Sequence, residues 1–324
     1  MDIVMNLNSS LRFCHFFSLT LLLIGCNASG DASNSSNSGS DAKNDLPIFR
    51  SIDLGDWALG IPIDEDNNGR SDTIQPYDLV DGYTLSPYFE HSNDKGITFL
   101  SFVSGPKTST NTTYTRSELR EMLRRNNTKI STQGVNKNNW VFSSTPQSEQ
   151  DKAGGVDGTL EATLAVNHVT VTGDSNQIGR VVIGQIHATK NEPVRIYYRK
   201  LKNNTKGAIY LAHEPASGFG DDQWYELIGQ RSSSAKDPED GIALNEKFGY
   251  KIQAEKNNLT VTIIRPGKPD VSKTIDITNS GYDQAGQYMY FKAGVYNLNK
   301  SGDSNDFAQA TFYSITNKHQ GYEH

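Results

Sequence analysis

The sequence predicts an all-β chain folded as a sandwich or jelly roll. Three observations carry that expectation. Short runs rich in β-branched and aromatic residues recur along most of the 324 residues. Gly and Asn separate many of them, as tight turns require. No internal repeat of fixed period is present.

In chain order, strands are expected at 97–103, 160–166, 181–187, 194–198, 250–254, 259–264, 288–296 and 307–315. Asn257-Asn258, between two of these runs, reads as a tight hairpin turn. One segment is contested. Residues 115–125 contain good helix formers, and Leu119, Met122 and Leu123 follow i, i+3, i+4 spacing. Taken alone, that segment reads as an amphipathic helix. Two stretches read as long loops. Residues 137–158 are polar and Gly-containing; residues 213–246 hold Pro, Gly, Ser and Asp around an apolar patch at Trp224-Tyr225. Loops of that length are functional or surface decoration.

The N-terminal residues read as a targeting segment, outside the fold. Residues 16–24 are apolar but shorter than the roughly 20 residues a membrane span needs. The run ends in Leu23-Ile24-Gly25-Cys26, which matches a bacterial lipobox. On that reading residues 1–25 are a lipoprotein signal peptide and Cys26 becomes the lipidated N-terminus. The alternative is an ordinary secretory signal cleaved elsewhere. Residues 26–45, rich in Ser, Asn, Gly and Asp, read as a flexible tether. Residues 46–324 are long enough for one large sandwich core. Cys14 lies inside the signal peptide, so no disulfide is available to the mature chain. The expected location is the cell envelope, at the outer membrane or cell surface, touching the membrane through the lipid alone.

The formal net charge is −6. Arg116, Arg120, Arg124 and Arg125 nonetheless cluster, and Lys292 adds to them. An acidic protein with a local basic patch suits a polyanion held at one place. Nucleic acid is a poor partner, because no long basic stripe with interleaved aromatics is present. A monomer is expected.

Side chains alternate faces along a strand. In the run 179–187, Gln185 and His187 therefore share a face. In the run 290–296, Tyr290, Lys292 and Tyr296 share one. In the run 116–120, Arg116, Glu118 and Arg120 do so if the segment is extended. Three such strands would line one surface with Arg, Gln, His, Lys and Tyr, which suits an anionic, hydroxyl-rich polymer.

Three strings stand in order: Arg116-Ser117-Glu118-Leu119-Arg120-Glu121, Gln185-Ile186-His187, and Tyr290-Phe291-Lys292-Ala293-Gly294-Val295-Tyr296-Asn297. Together they resemble the signatures of the polysaccharide lyase family 7 alginate lyases, over residues 46–316. One departure is visible: the family pattern continues Asn-Gln, whereas Leu298 follows Asn297 here, which puts one polar sugar contact in question. The resemblance implies a β-jelly roll with a concave active-site sheet, and it places 115–125 on a strand instead of a helix. It implies that Arg116, Gln185, His187 and Tyr296 form the catalytic set. Glu118, Arg120, Tyr290, Lys292 and Asn297 would bind sugar or support that set. The implied reaction is β-elimination at the 4-O-glycosidic bond of alginate, without a cofactor. Within the family, Ile in Gln-Ile-His accompanies guluronate-containing substrates.

The chemistry explains the residue types. A lyase removes the uronate C5 proton, which is poorly acidic while the neighbouring carboxylate keeps its charge. Arg116 can bind that carboxylate through two parallel bonds, and Gln185 can donate to it. His187 can act as a donor or as the base. Tyr296 can protonate the leaving oxygen. In mannuronate the C5 hydrogen and C4 oxygen lie on one side, so Tyr296 could serve as both base and acid. In guluronate they lie on opposite sides, so His187 as base and Tyr296 as acid fit better.

Other classes fit less well. A non-catalytic carbohydrate-binding sandwich would not need the complete set. A glycoside hydrolase needs paired carboxylates, but Glu118 and Glu121 fall on opposite faces of one strand. The loops 137–158 and 213–246 are expected to narrow the cleft and close one end, making cleavage exolytic. Separately, Asp64, Asp66, Asn68 and Asp72 alternate around Gly69 like the first half of a calcium loop, with Gln75 where an EF-hand has its closing Glu. Such a calcium ion would be structural; an Asp/Asn-rich turn is the alternative.

Overall fold

Apolar residues at every second position give each strand one inward face, and two antiparallel sheets bury those faces against each other. The computed structural model describes residues 52–323. The expected signal peptide, Cys26 and tether lie outside the described residues.

After a short 3-10 turn, the chain forms β1 (Trp57–Ile61), β2 (Asp72–Ile74), helix α1 (Pro76–Val80), β3 (Phe89–His91), β4 (Ile97–Phe102) and β5 (Arg116–Glu121). Then come β6 (Trp140–Val141), helix α2 (Gln147–Gln150), β7 (Gly155–His168), β8 (Arg180–His187), β9 (Val194–Arg199) and β10 (Lys206–His213). The rest is β11 (Gln223–Ile228), β12 (Ile242–Ala243), β13 (Phe248–Glu255), β14 (Asn258–Ile264), β15 (Val271–Asp276), β16 (Tyr290–Asn297) and β17 (Phe307–Gln320). One sheet has nine strands, ordered β11-β10-β9-β8-β16-β5-β1-β2, with β12 joined to β10. The other has eight, ordered β15-β14-β13-β7-β17-β4-β3, with β6 joined to β7. The architecture is the expected β-jelly roll.

Strand β14 shows the logic. Leu259, Val261 and Ile263 point inward and are fully buried, while Thr260 and Thr262 pair their hydroxyls with Thr274 and Ser272 on the outer face. Between the sheets lie Trp57, Trp140, Tyr198, Tyr250, Phe89, Phe99 and Phe291, each at most 1 % exposed. Tyr250 donates its hydroxyl to the Ile183 carbonyl, so its ring is buried without an orphan polar atom.

Residues 116–121 are a strand, as the resemblance implied and against the helical spacing. The apolar triplet is used differently from a helix. Leu119 points inward from β5, while Met122 and Leu123 are buried where the chain turns out of the strand. Long-range pairing with β1 and β16 outweighs the local propensity.

The hairpin turn sits one residue earlier than expected. Glu255 pairs with Asn258, so Lys256-Asn257 makes the turn, with Lys256 at positive φ. The two expected long loops are interrupted by short elements but otherwise run as turns and irregular chain. Residues 137–158 supply β6, α2 and the start of β7; residues 213–246 supply β11 and β12.

A polar bridge ties the sheets together beneath the central strands. Glu121 accepts from the Phe291 amide, from Asn317 and from His319, and His319 also meets the Asp157 carbonyl. Among the described residues no helix is long and apolar enough to cross a membrane.

Candidate active site

Strands β8, β16 and β5 lie side by side in the nine-stranded sheet. Tyr290 stands opposite His187, and Lys292 opposite both Gln185 and Arg120. Tyr296 stands opposite Arg116. The three sequence strings therefore meet on one surface, over a cleft of about 420 Å³. Arg116, Glu118, Arg120, His187, Tyr290 and Lys292 line it, with Gln133 and the 108–112 segment at its walls.

Glu118 is the hub. It is 1 % exposed and takes Gln185 Nε2 on Oε1 at 2.5 Å. Its Oε2 accepts from Arg116 Nη1 at 3.0 Å and forms an ion pair with Lys292 Nζ. Burial raises the Glu118 carboxyl, but Lys292 and Arg116 outweigh it and hold the group below the usual carboxylate range. Glu118 is thus an organiser, with no exposed surface to offer a sugar. One carboxylate cannot compensate two buried cations fully. Burial and then the Arg116 charge bring Lys292 down to about 8, despite Glu118. For Arg116, burial pulls the other way but Glu118 prevails, and the guanidinium is held above its ordinary value. Arg116 Nε has no hydrogen-bond partner among the described residues. That nitrogen is itself buried, and a substrate carboxylate meets the guanidinium at the part left exposed in the cleft, 12% of the side chain.

His187 is stacked on Tyr290, with ring centroids 4.9 Å apart and planes 10° from parallel. Its Nδ1 lies 2.6 Å from the Ala188 carbonyl. A proton on Nδ1 satisfies that contact and leaves the Nε2 lone pair free. Burial, then the charge of Lys292, depress the imidazole to about 3, so it is neutral at physiological pH. Nε2 lies 3.4 Å from Glu192 Oε1. A proton taken up at Nε2 would meet that carboxylate. The other face of the Tyr290 environment is closed by Arg120, whose guanidinium sits 4.0 Å from the ring centroid. Arg120 is itself held by the Thr132 carbonyl at 2.6 Å and by Asn139 at 3.3 Å.

Tyr296 shares the face of Tyr290 and Lys292 by alternation, beside a register shift against β8. From Ala293 to Tyr296, three steps on β16 oppose two on β8, while pairing with β5 stays continuous. Gly294 lies inside the shift at φ 141°, and a Cβ there would fall 2.7 Å from the Ser117 carbonyl oxygen. Arg116 covers the Tyr296 ring at 3.7 Å, and Tyr114 packs edge-on against it. Burial raises the phenol above its ordinary value, with Arg116 opposing.

Asn297 is a correction. It is fully buried, and its amide donates to the Ser101 carbonyl of the opposite sheet. It braces the two sheets and cannot reach a sugar. The next residue, Leu298, packs in an apolar cluster with Val182, Tyr197 and Tyr210. That is where the sequence departs from the expected polar residue.

The structure also brings together residues that spacing could not reveal. Glu192 follows His187 by five positions, round a turn closed by the Ala188 amide and the Asn191 carbonyl. Gln133, Thr132 and Asn139 arrive from a segment without strand or helix signal. Among the acidic residues at 64–72, Asp64, Asp66 and Asp72 converge, with carboxylate oxygens within 4.8 Å of one another. Asn68 is used otherwise: its Oδ1 accepts from the Arg70 amide and its amide donates to Asp66.

Comparison with known proteins agrees with this geometry. The family model described as "Alginate lyase" matches residues 52–319. An alginate lyase of Klebsiella pneumoniae is 57% identical over 275 residues, covering 83% of this chain and 90% of that protein. The crystal structure of the alginate lyase from Klebsiella pneumoniae superposes with a TM-score of 0.83 at 56% identity, over 84% of this chain and 98% of that one. A more distant structure, alginate lyase A1-II' of polysaccharide lyase family 7, shares the fold at 22% identity and a TM-score of 0.60, over 83% of this chain and 97% of that one. With a family match across nearly all described residues and a relative more than half identical, this chain belongs to the alginate lyases of polysaccharide lyase family 7.

Proposed function

We propose that the protein cleaves the 4-O-glycosidic bond of alginate by β-elimination, with Arg116, Gln185, His187 and Tyr296 as its catalytic residues. The observation that carries this reading is the Glu118 hub. It fixes Arg116, Lys292 and Gln185 around one point, beside a neutral imidazole and a phenol. A uronate carboxylate docks on the cleft-facing part of Arg116, with Lys292 and the second amide hydrogen of Gln185 beside it. His187 Nε2, or Tyr296 as its phenolate, removes the C5 proton. The electron pair passes into the C4–C5 bond, the C4–O4 bond breaks, and O4 takes a proton from Tyr296. The new non-reducing end is a 4,5-unsaturated uronate. Negative charge that develops on the carboxylate is met by donors already in place. Proton transfer to His187 is favoured in the complex, because the substrate carboxylate offsets Arg116 and Lys292, two of the charges that depress the imidazole.

The test is the rise of enoate ultraviolet absorbance during digestion of alginate without added cofactor. Hydrolytic products lacking unsaturation would sink the reading.

Guluronate-containing chains are the proposed preference, supported by the His187 and Tyr296 pair as separate base and acid. Internal cutting is the proposed mode. The exolytic expectation needed 137–158 or 213–246 to wall the cleft, and none of the cleft-lining residues comes from either. Polyguluronate viscosity that persists while reducing ends accumulate would restore the exolytic mode. The site is completed within one chain, which supports a monomer. Lipidation at Cys26, with the enzyme tethered to the cell envelope, rests on the lipobox alone; a Cys26→Ala variant that still fractionates with membranes would remove it. A calcium ion held by Asp64, Asp66 and Asp72 is proposed as structural.

A further inference from the structure

Beyond Tyr296 the same sheet face continues across β8, β9, β10 and β11. An apolar floor of Val182, Tyr197, Tyr210 and Leu298, with Trp224 packed at its edge, leads away from the catalytic tyrosine. It ends in a second cavity of about 510 Å³, larger than the catalytic cleft. Arg180, Arg199, Arg231, Tyr210, Trp224 and Glu226 line it. Three guanidinium groups face one carboxylate, within a chain whose net charge is −6.

The parts are held in place. Tyr197 and Tyr210 stack at 4.8 Å, and Trp224 leans on both at 5.5 and 6.1 Å. Arg231 lies 4.8 Å over the Trp224 ring. Arg199 is buried and bound to the carbonyls of Ser175, Ile178 and Arg231, so it is a fixed charge. Arg180 donates to the Leu298 carbonyl at 3.2 Å, and its Nε is buried with no partner among the described residues. All three arginines line the cavity with Tyr210, whose phenol is raised by burial against the opposing charges of those arginines. Glu226 accepts the Arg231 amide at 2.8 Å.

A half-buried indole beside fixed guanidinium groups matches an anionic sugar. The ring meets the apolar face of a pyranose, and the arginines meet its carboxylate. Nothing in the elimination uses these residues. We infer that this cavity is a distal subsite for a uronate residue several sugars away from the bond being cut. Trp224 lies four strands from Tyr296, or about 19 Å at the usual strand spacing. A chain that spans both places gains affinity without any change at the reacting carbon, and the enzyme favours long substrates. This rests on alginate being the chain that fills the catalytic cleft.

The experiment compares alginate polymer with a trisaccharide too short to reach from the cleft to Trp224. In Arg231→Ala and Trp224→Ala, KM for the polymer should rise about tenfold, equivalent to about 1.4 kcal/mol, with kcat little changed. The penalty on the trisaccharide should be far smaller. Arg231→Glu should be worse than Arg231→Ala, and Arg231→Lys milder. Binding gives a second readout. Trp57 and Trp140 are fully buried, so an emission change on adding long oligosaccharide reports Trp224, and the trisaccharide should not produce it. Unchanged polymer KM in variants that still form unsaturated product would overturn the subsite while leaving the lyase reading intact. Equal losses on both substrates would also overturn it. A wild-type enzyme that forms no unsaturated product would instead sink the lyase reading.

Discussion

Gln185 on β8 donates a 2.5 Å hydrogen bond to Glu118 on β5, across the intervening strand β16. That bond decides which end of the amide faces the carboxylate, and it couples all three signature strands through one buried acid. Glu118→Gln keeps the size and removes the charge. Arg116 and Lys292 then lose their shared counter-charge, and Gln185 loses its fixed acceptor. A misplacement of about 1 Å in such a constellation costs on the order of a hundredfold in rate. We expect kcat to fall by about that factor, with a folded protein of lower melting temperature. Activity within a few-fold of wild type would show that Glu118 is not the organiser.

The pH dependence follows from Lys292 and His187. Lys292, brought down from 10.5 to about 8, is charged at neutral pH and loses its charge as pH passes about 8. Loss of that cation weakens the hold on a uronate carboxylate. His187, at about 3, is already neutral and supplies no inflection near its ordinary value of 6.5. Because kcat/KM reports the free enzyme, it should stay level through pH 6.5 and decline above about 8. Tyr296 is held above 10, so it cannot be the source of that decline. Lys292→Arg should move the limb upward; a limb that stays in place would assign it to another group.

Much of the site is legible in the sequence. The alternation rule put Arg116, Glu118 and Arg120 on one face, Gln185 and His187 on another, and Tyr290, Lys292 and Tyr296 on a third. The sheet then set the three strands side by side. Asn297 follows Phe291, Ala293 and Val295 on the inward face of β16, so alternation itself turns it into the core and away from a sugar. The helical spacing of Leu119, Met122 and Leu123 misled because a strand followed by a turn buries the same three residues. Glu192 and Gln133 had no local signature at all; only the folded chain puts them at the cleft. Strand β10 is apolar and almost wholly buried, yet it is not among the strands expected from the sequence, nor is the face that carries Tyr210.

Removal of divalent cations tests the acidic turn. Asp64 accepts from the amides of Asn68 and Gly69, Asp66 from Asn68, and Asp72 from the Glu65 amide. Those bonds stabilise the turn with or without an ion. If calcium also binds, an ion at a hundredfold excess over its Kd adds about 2.7 kcal/mol to folding. For a domain of this size that is about 5–10 °C in Tm. Chelator should lower Tm by that order and leave activity at low temperature unchanged, since the turn lies outside the catalytic set. An unchanged Tm, with no calcium in elemental analysis, disposes of the ion and leaves a hydrogen-bonded turn.

The division of labour between His187 and Tyr296 depends on the sugar. The two groups reach the reacting residue from different strands, β8 and β16, with Arg116 covering the Tyr296 ring. In guluronate the departing hydrogen and oxygen lie on opposite sides of the ring, so one group cannot serve both. His187 Nε2, free because Nδ1 is committed to the Ala188 carbonyl, takes the C5 proton there. Tyr296 gives its proton to O4. In mannuronate both events occur on one side, and Tyr296, entering as the phenolate, can take the C5 proton and pass it to O4. Tyr296→Phe removes only the hydroxyl and keeps the ring under Arg116, so it should abolish turnover on both polymers while the fold and Tm are retained. His187→Ala should cost about two orders of magnitude or more on polyguluronate, within the usual range for a general base, and clearly less on polymannuronate. Separate kinetics on the two homopolymers measure this directly. Equal losses in His187→Ala on both would show that the imidazole serves the carboxylate and not the proton. Residual activity of a tenth or more in Tyr296→Phe would remove the phenol from the reaction.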